Sequence, residues 1–155
     1  MLKYFNYDIV FQEIPDEVTL AVNFSLCPNR CQGCHSPWLW QDKGDEFTVQ
    51  ALDNLIKTYN GDFTCFAFMG GDNDPVAVNK MAAYIKDNYK NIKTAWYSGK
   101  EEIDKAIDLK NFDYIKIGPY KKEFGDLKQK TTNQRLYKIL PDGEKEDITY
   151  KFQKK

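Results

Sequence analysis

Val18-Thr-Leu-Ala-Val-Asn-Phe24 runs without a break into Ser25-Leu-Cys27-Pro-Asn-Arg-Cys31-Gln-Gly-Cys34-His35, and the reading of this junction decides the fold. The segment from Val18 to Phe24 is rich in β-branched and aromatic side chains and reads as a strand. It opens directly into a cysteine-bearing loop, from Ser25 to about Trp40. A strand that ends in such a loop is the first unit of an alternating pattern.

Downstream, Thr48 to Tyr59 reads as a helix, because Leu52, Leu55, Ile56 and Tyr59 fall on one face. Thr48 serves as its N-cap and Asn60-Gly61 as its stop. Thr64-Cys-Phe-Ala-Phe-Met69 reads as a fully buried strand ended by Gly70-Gly71. Asp74 then caps a helix with Pro75 at its first position, continuing through Val78, Met81, Ala82 and Ile85. Thr94-Ala-Trp-Tyr97 is a third strand closed by Ser98-Gly99, and Glu101 to Leu109 a short helix. Tyr114-Ile-Lys-Ile117 is a fourth strand ended by Gly118-Pro119, and Ile148 to Phe152 adds one more.

Strands alternating with helices predict an α/β sheet of parallel strands. The 155 residues suit a single domain, with a core over about residues 17–120 and a C-terminal extension over about 121–155. Every motif falls at the C-terminal end of a strand, where α/β sheets and β/α barrels gather their active-site loops.

Composition narrows the function. Hydrophobic residues make up 42% and aromatics 15%, enough for a packed core. A formal net charge of −1 lacks the basic footprint that nucleic acid requires. The longest strongly apolar stretch, Phe63–Met69, is far short of the roughly 20 residues of a membrane span. The start, MLKYFNYDIVFQEIP, lacks the apolar region of a secretory signal, so a cytoplasmic protein is expected. The single histidine, His35, excludes metal sites that need two or three imidazoles.

Three of the four cysteines crowd into the spacing C-x3-C-x2-C at Cys27, Cys31 and Cys34. In a reducing compartment such clustering indicates metal or redox chemistry rather than cross-linking. A cubane iron–sulfur cluster takes four ligands, so three thiolates leave one iron open to a substrate or cofactor. A structural zinc site with His35 or Cys65 as fourth ligand is the alternative. Against it, His35 is adjacent to Cys34, and Cys65 lies inside an apolar run. Gly70-Gly71-Asp72 after a buried strand allows a ligand to approach the backbone, and Asp72 can accept from an ammonium group. Taken alone it is also ordinary turn chemistry, as is Ser98-Gly99.

These residues together resemble the radical S-adenosylmethionine superfamily, and more closely the activating proteins of anaerobic ribonucleotide reductase. The cysteine triplet is similar to the superfamily's cluster motif, and Cys34-His35-Ser36-Pro37 resembles the activases' version of it. Gly70-Gly71-Asp72 resembles the turn that cradles the methionyl amino group. Trp96-Tyr-Ser-Gly99, Asp113-Tyr-Ile-Lys-Ile-Gly-Pro119 and Thr132-Asn-Gln-Arg135 resemble the activases' later signatures. In two places the chain departs from that pattern. Val10 to Glu17 stands where the activases carry a Gly-rich, Arg-containing segment, and Asn73-Asp74 separates Asp72 from Pro75.

The resemblance implies a partial, open β/α barrel with parallel strands and helices outside. Cys27, Cys31 and Cys34 would hold a [4Fe–4S] cluster whose open iron chelates S-adenosylmethionine. Gly33, Cys34, His35, Gly70, Gly71, Asp72 and Ser98 would contact that cofactor, and no catalytic residue beyond cluster and cofactor is implied. One electron, from a donor such as flavodoxin or ferredoxin, would cleave the sulfonium bond to methionine and a 5′-deoxyadenosyl radical. That radical would take a Cα hydrogen from a glycine of the large anaerobic ribonucleotide reductase subunit. Two other readings stand beside it: a radical enzyme acting on another glycyl-radical enzyme, peptide or small molecule, and a non-catalytic zinc or cluster module.

Overall fold

The computed structural model of the protein describes residues 2–11, 13–24, 45–119 and 121–152. In chain order the elements are β1 (Lys3–Val10), β2 (Thr19–Phe24), β3 (Asp45–Glu46), α1 (Val49–Thr58), β4 (Cys65–Met69) and α2 (Pro75–Asn88). They are followed by β5 (Lys93–Tyr97), β6 (Tyr114–Ile117), β7 (Arg135–Ile139) and β8 (Lys145–Asp147). All eight strands form one sheet in the order β3-β1-β2-β4-β5-β6-β7-β8.

The middle of the sheet follows the alternating pattern, with β2, β4, β5 and β6 as parallel neighbours. The flanks correct the expectation of parallel strands throughout. β1 is antiparallel to β2 and β3 to β1, while β7 is antiparallel to β6 and β8 to β7. The β7–β8 connection shows why: a short turn permits only a hairpin, whereas a parallel pair needs a crossover. The resulting mixed sheet is not closed, which is compatible with an open, partial barrel.

Alternation along the strands divides the core in two. Leu20, Val22 and Phe24 of β2, Phe66 and Phe68 of β4, Trp96 of β5 and Ile115 of β6 form one face. Against it pack Leu52, Leu55 and Ile56 of α1 and Val78, Ala82 and Ile85 of α2. Each of these side chains contributes on the order of 1.5–3 kcal/mol by leaving water, the alanine less. On the other face Cys65, Ala67, Ala95, Tyr114 and Leu136 meet Ile14 and Ile148. There Ala21, Ala67 and Ala95 stand in register across β2, β4 and β5, a lane of small side chains.

The helices begin where their caps predict. Thr48 Oγ1 accepts from the Ala51 N–H at 3.1 Å, and an Asp74 carboxylate oxygen accepts from the Ala77 N–H at 3.2 Å with Pro75 at the first helical position. Asp53 of α1 ties the two helices together, accepting from the Tyr84 hydroxyl at 2.8 Å and the Tyr89 hydroxyl at 2.5 Å.

Two expected elements differ. Residues 101–108 are irregular, with a bend at 101–102 and a turn at 105–106, and only Leu109–Asn111 is helical, as a 3₁₀ turn. The Asp104 and Asp108 side chains accept from the N–H groups of Ala106 and Lys110, and such local bonds compete with helix formation. At the C-terminal end, Thr149–Phe152 is a 3₁₀ turn rather than a strand, with the Thr149 hydroxyl accepting from the Leu136 N–H at 2.9 Å.

No helix among the described residues is long and apolar enough to cross a membrane.

Candidate functional site

Because β2, β4, β5 and β6 are parallel, their C-terminal ends share one edge of the sheet. The antiparallel β1 and β7 start at that edge, which brings Leu2 and Thr132–Gln134 to it as well. Four sequence motifs, separated by up to sixty residues, therefore converge there: Gly70–Asp72, Trp96–Gly99, Gly118–Pro119 and Thr132–Arg135.

The turn after β4 is held from several sides. The Gly70 N–H donates to the Tyr97 carbonyl at 2.9 Å, and the Gly70 carbonyl accepts from the Trp96 indole N–H at 2.7 Å. Gly70 and Gly71 take φ of +100° and +90°, a region that side-chain-bearing residues rarely adopt. A Cβ on Gly71 would lie 2.8 Å from Val78 Cγ2 and 3.2 Å from Leu2 Cδ2, so the backbone packs tightly against α2 and the β1 lead-in. The Gly71 carbonyl accepts from the Asp74 N–H at 3.0 Å. Gly71 is buried, yet its own N–H meets no acceptor among the described residues.

Asp72 is buried at 7% exposure, and its carboxylate accepts from the Ser98 hydroxyl at 2.6 Å and the Gly99 N–H at 2.8 Å. Asp72 and Ser98, expected separately to contact a cofactor, are thus bonded to each other. From Ser98 the network continues to β6. The Lys116 ammonium, buried at 8% exposure, donates to the carbonyls of Gly118 at 2.9 Å and Ser98 at 3.4 Å. It also lies 5.7 Å from the centre of the Tyr97 ring, within cation–π range. The Gly118 carbonyl accepts in addition from the buried Gln134 amide at 3.4 Å, and the Asn133 amide donates to the Pro119 carbonyl at 3.0 Å. A polar arc therefore runs across the tips of β4, β5, β6 and β7.

Lys116 was not among the residues expected from the sequence. It lies within the Asp113–Pro119 signature, but only its register beside Tyr97 shows what it touches. Cys27, Cys31, Gly33, Cys34 and His35 lie outside the described residues.

Cys65 is placed at the opposite end of the sheet. It opens β4 in register with Thr19, four residues from Met69, or about 13 Å along a strand. Burial pushes its thiol well above the ordinary cysteine range, and the thiolate is the form that binds metal. Cys65 thus sits away from the edge at which the chain leaves β2 toward the triplet. Near it, at the N-terminal ends of the strands, Glu17 gathers the Thr64 hydroxyl at 2.7 Å, the Lys93 ammonium at 2.8 Å and the Tyr114 hydroxyl at 2.8 Å. Burial pushes the Glu17 carboxyl up, but these three donors outweigh it and hold the group below its ordinary range. This cluster fastens the lead-in to β2 and is remote from the arc.

Among the described residues no group of three histidine, cysteine or acidic side chains is arranged to hold a metal ion. The donor set that fits one is the triplet at positions 27, 31 and 34. The chain leaves β2 at Phe24, on the edge that carries the Gly-Gly turn, three residues before Cys27. Three thiolates suit an iron–sulfur cluster, whose ligands are cysteine sulfurs.

A family model described as a 4Fe-4S single cluster domain matches residues 18–140. The match spans the cysteine triplet and the whole arc, from the lead-in of β2 to the residue after β7. No curated protein and no solved structure matches the chain.

Proposed function

The chain belongs to the 4Fe-4S single cluster domain family, and from that premise we propose that it is a radical S-adenosylmethionine enzyme that activates anaerobic ribonucleotide reductase. The observation that carries this reading is the convergence of the Gly70–Asp72 turn with the tips of β5, β6 and β7 at the edge where the chain enters its cysteine triplet. A protein that only stored a cluster would need the thiolates and nothing more. Here the neighbouring strand tips form a continuous polar network.

Cys27, Cys31 and Cys34 are the residues that would hold the cluster. When bound, the cluster supplies the electron that reductively cleaves S-adenosylmethionine. The protein's part is binding, orientation and exclusion of water, which is the usual division of labour with a cofactor. The Gly71 N–H, which meets no acceptor among the described residues, is the backbone group this turn offers to the carboxylate of the ligand's amino-acid end. Asp72, fixed by Ser98 and Gly99, adds negative charge in the same turn. The sheet does not close, and the open side would admit the glycine-bearing segment of a protein substrate.

The test is anaerobic reconstitution with iron and sulfide. About four irons per chain are expected, with their loss in Cys31→Ala. Dithionite and S-adenosylmethionine should then yield 5′-deoxyadenosine and methionine. Incubation with the large reductase subunit should produce a glycyl radical signal in electron paramagnetic resonance. Stoichiometric zinc without cleavage products would overturn the enzyme reading. Cleavage without a radical on the reductase would redirect it to another substrate.

A further inference from the structure

The third-strand signature Trp96-Tyr-Ser-Gly99 has no assigned task beyond a possible direct contact from Ser98. Its geometry assigns a different one. Trp96 is wholly buried on the helix-facing side of the sheet, and its only polar atom, the indole N–H, reaches over to the Gly70 carbonyl at 2.7 Å. Ser98 is 1% exposed, and its hydroxyl donates its single proton to Asp72 at 2.6 Å while accepting from the Lys100 N–H at 3.1 Å. Its donor capacity is therefore spent inside the protein. The Gly99 N–H adds a third bond, to the other Asp72 oxygen at 2.8 Å.

We propose that Trp96 and Ser98 are positioning residues, a two-sided clamp that sets the Gly70-Gly71-Asp72 turn for the amino-acid end of S-adenosylmethionine. The inference rests on the proposed function and deepens it. Trp96 fixes the first residue of the turn and Ser98 the last, adding side-chain restraint to the backbone bonds from the Gly70 and Asp74 N–H groups that already hold it. A glycine pair without such restraint would explore many conformations, since neither residue has a Cβ to limit it. The clamp removes that entropy before the ligand arrives, which is how preorganisation raises affinity.

The experiment uses the reconstituted, cluster-loaded protein. Ser98→Ala removes the hydroxyl, Ser98→Thr keeps it, and Trp96→Phe keeps an aromatic ring but removes the N–H. Thermal unfolding and iron content are measured first, and both should show folded protein with wild-type iron. S-adenosylmethionine is then titrated against the dithionite-reduced cluster, and its effect on the electron paramagnetic resonance signal gives the dissociation constant. Losing one buried hydrogen bond to the turn should weaken binding about tenfold in Ser98→Ala and in Trp96→Phe, with Ser98→Thr within about threefold of wild type. Unchanged affinity in both Ser98→Ala and Trp96→Phe overturns the clamp alone. A loss in one but not the other overturns its two-sided form. If the wild-type cluster forms but does not respond to S-adenosylmethionine, the proposed function falls and this inference with it.

Discussion

Replacing Gly71 by alanine tests whether the turn after β4 is as tightly built as its contacts imply. The new Cβ would stand 2.8 Å from Val78 Cγ2 and 3.2 Å from Leu2 Cδ2. Both neighbours are buried, at 0% and 2% exposure, so neither can swing into solvent. Forced contact of this kind costs about 1–3 kcal/mol. The φ of +90° adds about 1–2 kcal/mol for a residue with a Cβ. Stiffening the unfolded chain offsets about 0.4–1 kcal/mol. The net loss is about 2–4 kcal/mol, a large share of the stability of a domain this size. Gly61→Ala separates the two contributions, because Gly61 has a similar φ of +86° but no atom within 4 Å of its Cβ position. Its cost is the conformational part alone, about 1 kcal/mol. Urea unfolding of the cluster-free protein under reducing conditions, followed by far-ultraviolet circular dichroism, reads both values. Adding Val78→Ala to Gly71→Ala should relieve about 1 kcal/mol beyond additivity. If Gly71→Ala costs no more than Gly61→Ala, the argument from packing is wrong.

Glu17→Gln should lower stability near neutral pH by about 1.5–3 kcal/mol, because three donors lose a charged acceptor. The folded carboxyl lies below its ordinary range. Its contribution is therefore fully present above the unfolded value of about 4.3 and is lost as pH falls through the folded value. Unfolding free energy measured from neutral pH down to about pH 3 should fall more steeply in the wild type than in the variant, and parallel curves would refute the assignment. Cys65→Ala should leave the iron content at the wild-type level while costing about 1 kcal/mol of stability, since it removes one buried sulfur remote from the triplet. A fall in iron in that variant would show that the fourth thiol takes part after all.

The parallel centre of the sheet was legible because β2, β4, β5 and β6 are buried and therefore written in apolar and β-branched residues. The helices were legible from one apolar face and from Thr48, Asp74 and Pro75 at their starts. What escaped was the flanks. β1 leaves its central residues, Phe5 to Asp8, exposed, and β8 is exposed throughout, so neither carries a burial pattern. β7 was hidden by its lysine and arginine, although Leu136 and Ile139 are buried. The helix expected after Ser98 had apolar residues at workable spacing, but Asp104 and Asp108 turned the local backbone onto themselves. For the site, the motifs named the right corners of the edge. That Ser98 bonds Asp72, and that Lys116 joins β5 to β6, depends on register and could not be read along the chain.

The two edges of the sheet carry a further consequence. Among the described residues β3 contributes Asp45 and Glu46, which pair with Lys3 and Tyr4 of β1, and β8 contributes Lys145, Glu146 and Asp147; all five side chains are exposed. A second molecule adding its strand to β3 would have to place its backbone against two carboxylates. Addition at β8 would meet charges of both signs over three residues. A sheet that does not seal itself into a ring needs some other guard against stacking edge to edge into aggregates. At β3 and β8 that guard is charge: each would set an incoming strand against exposed charged side chains.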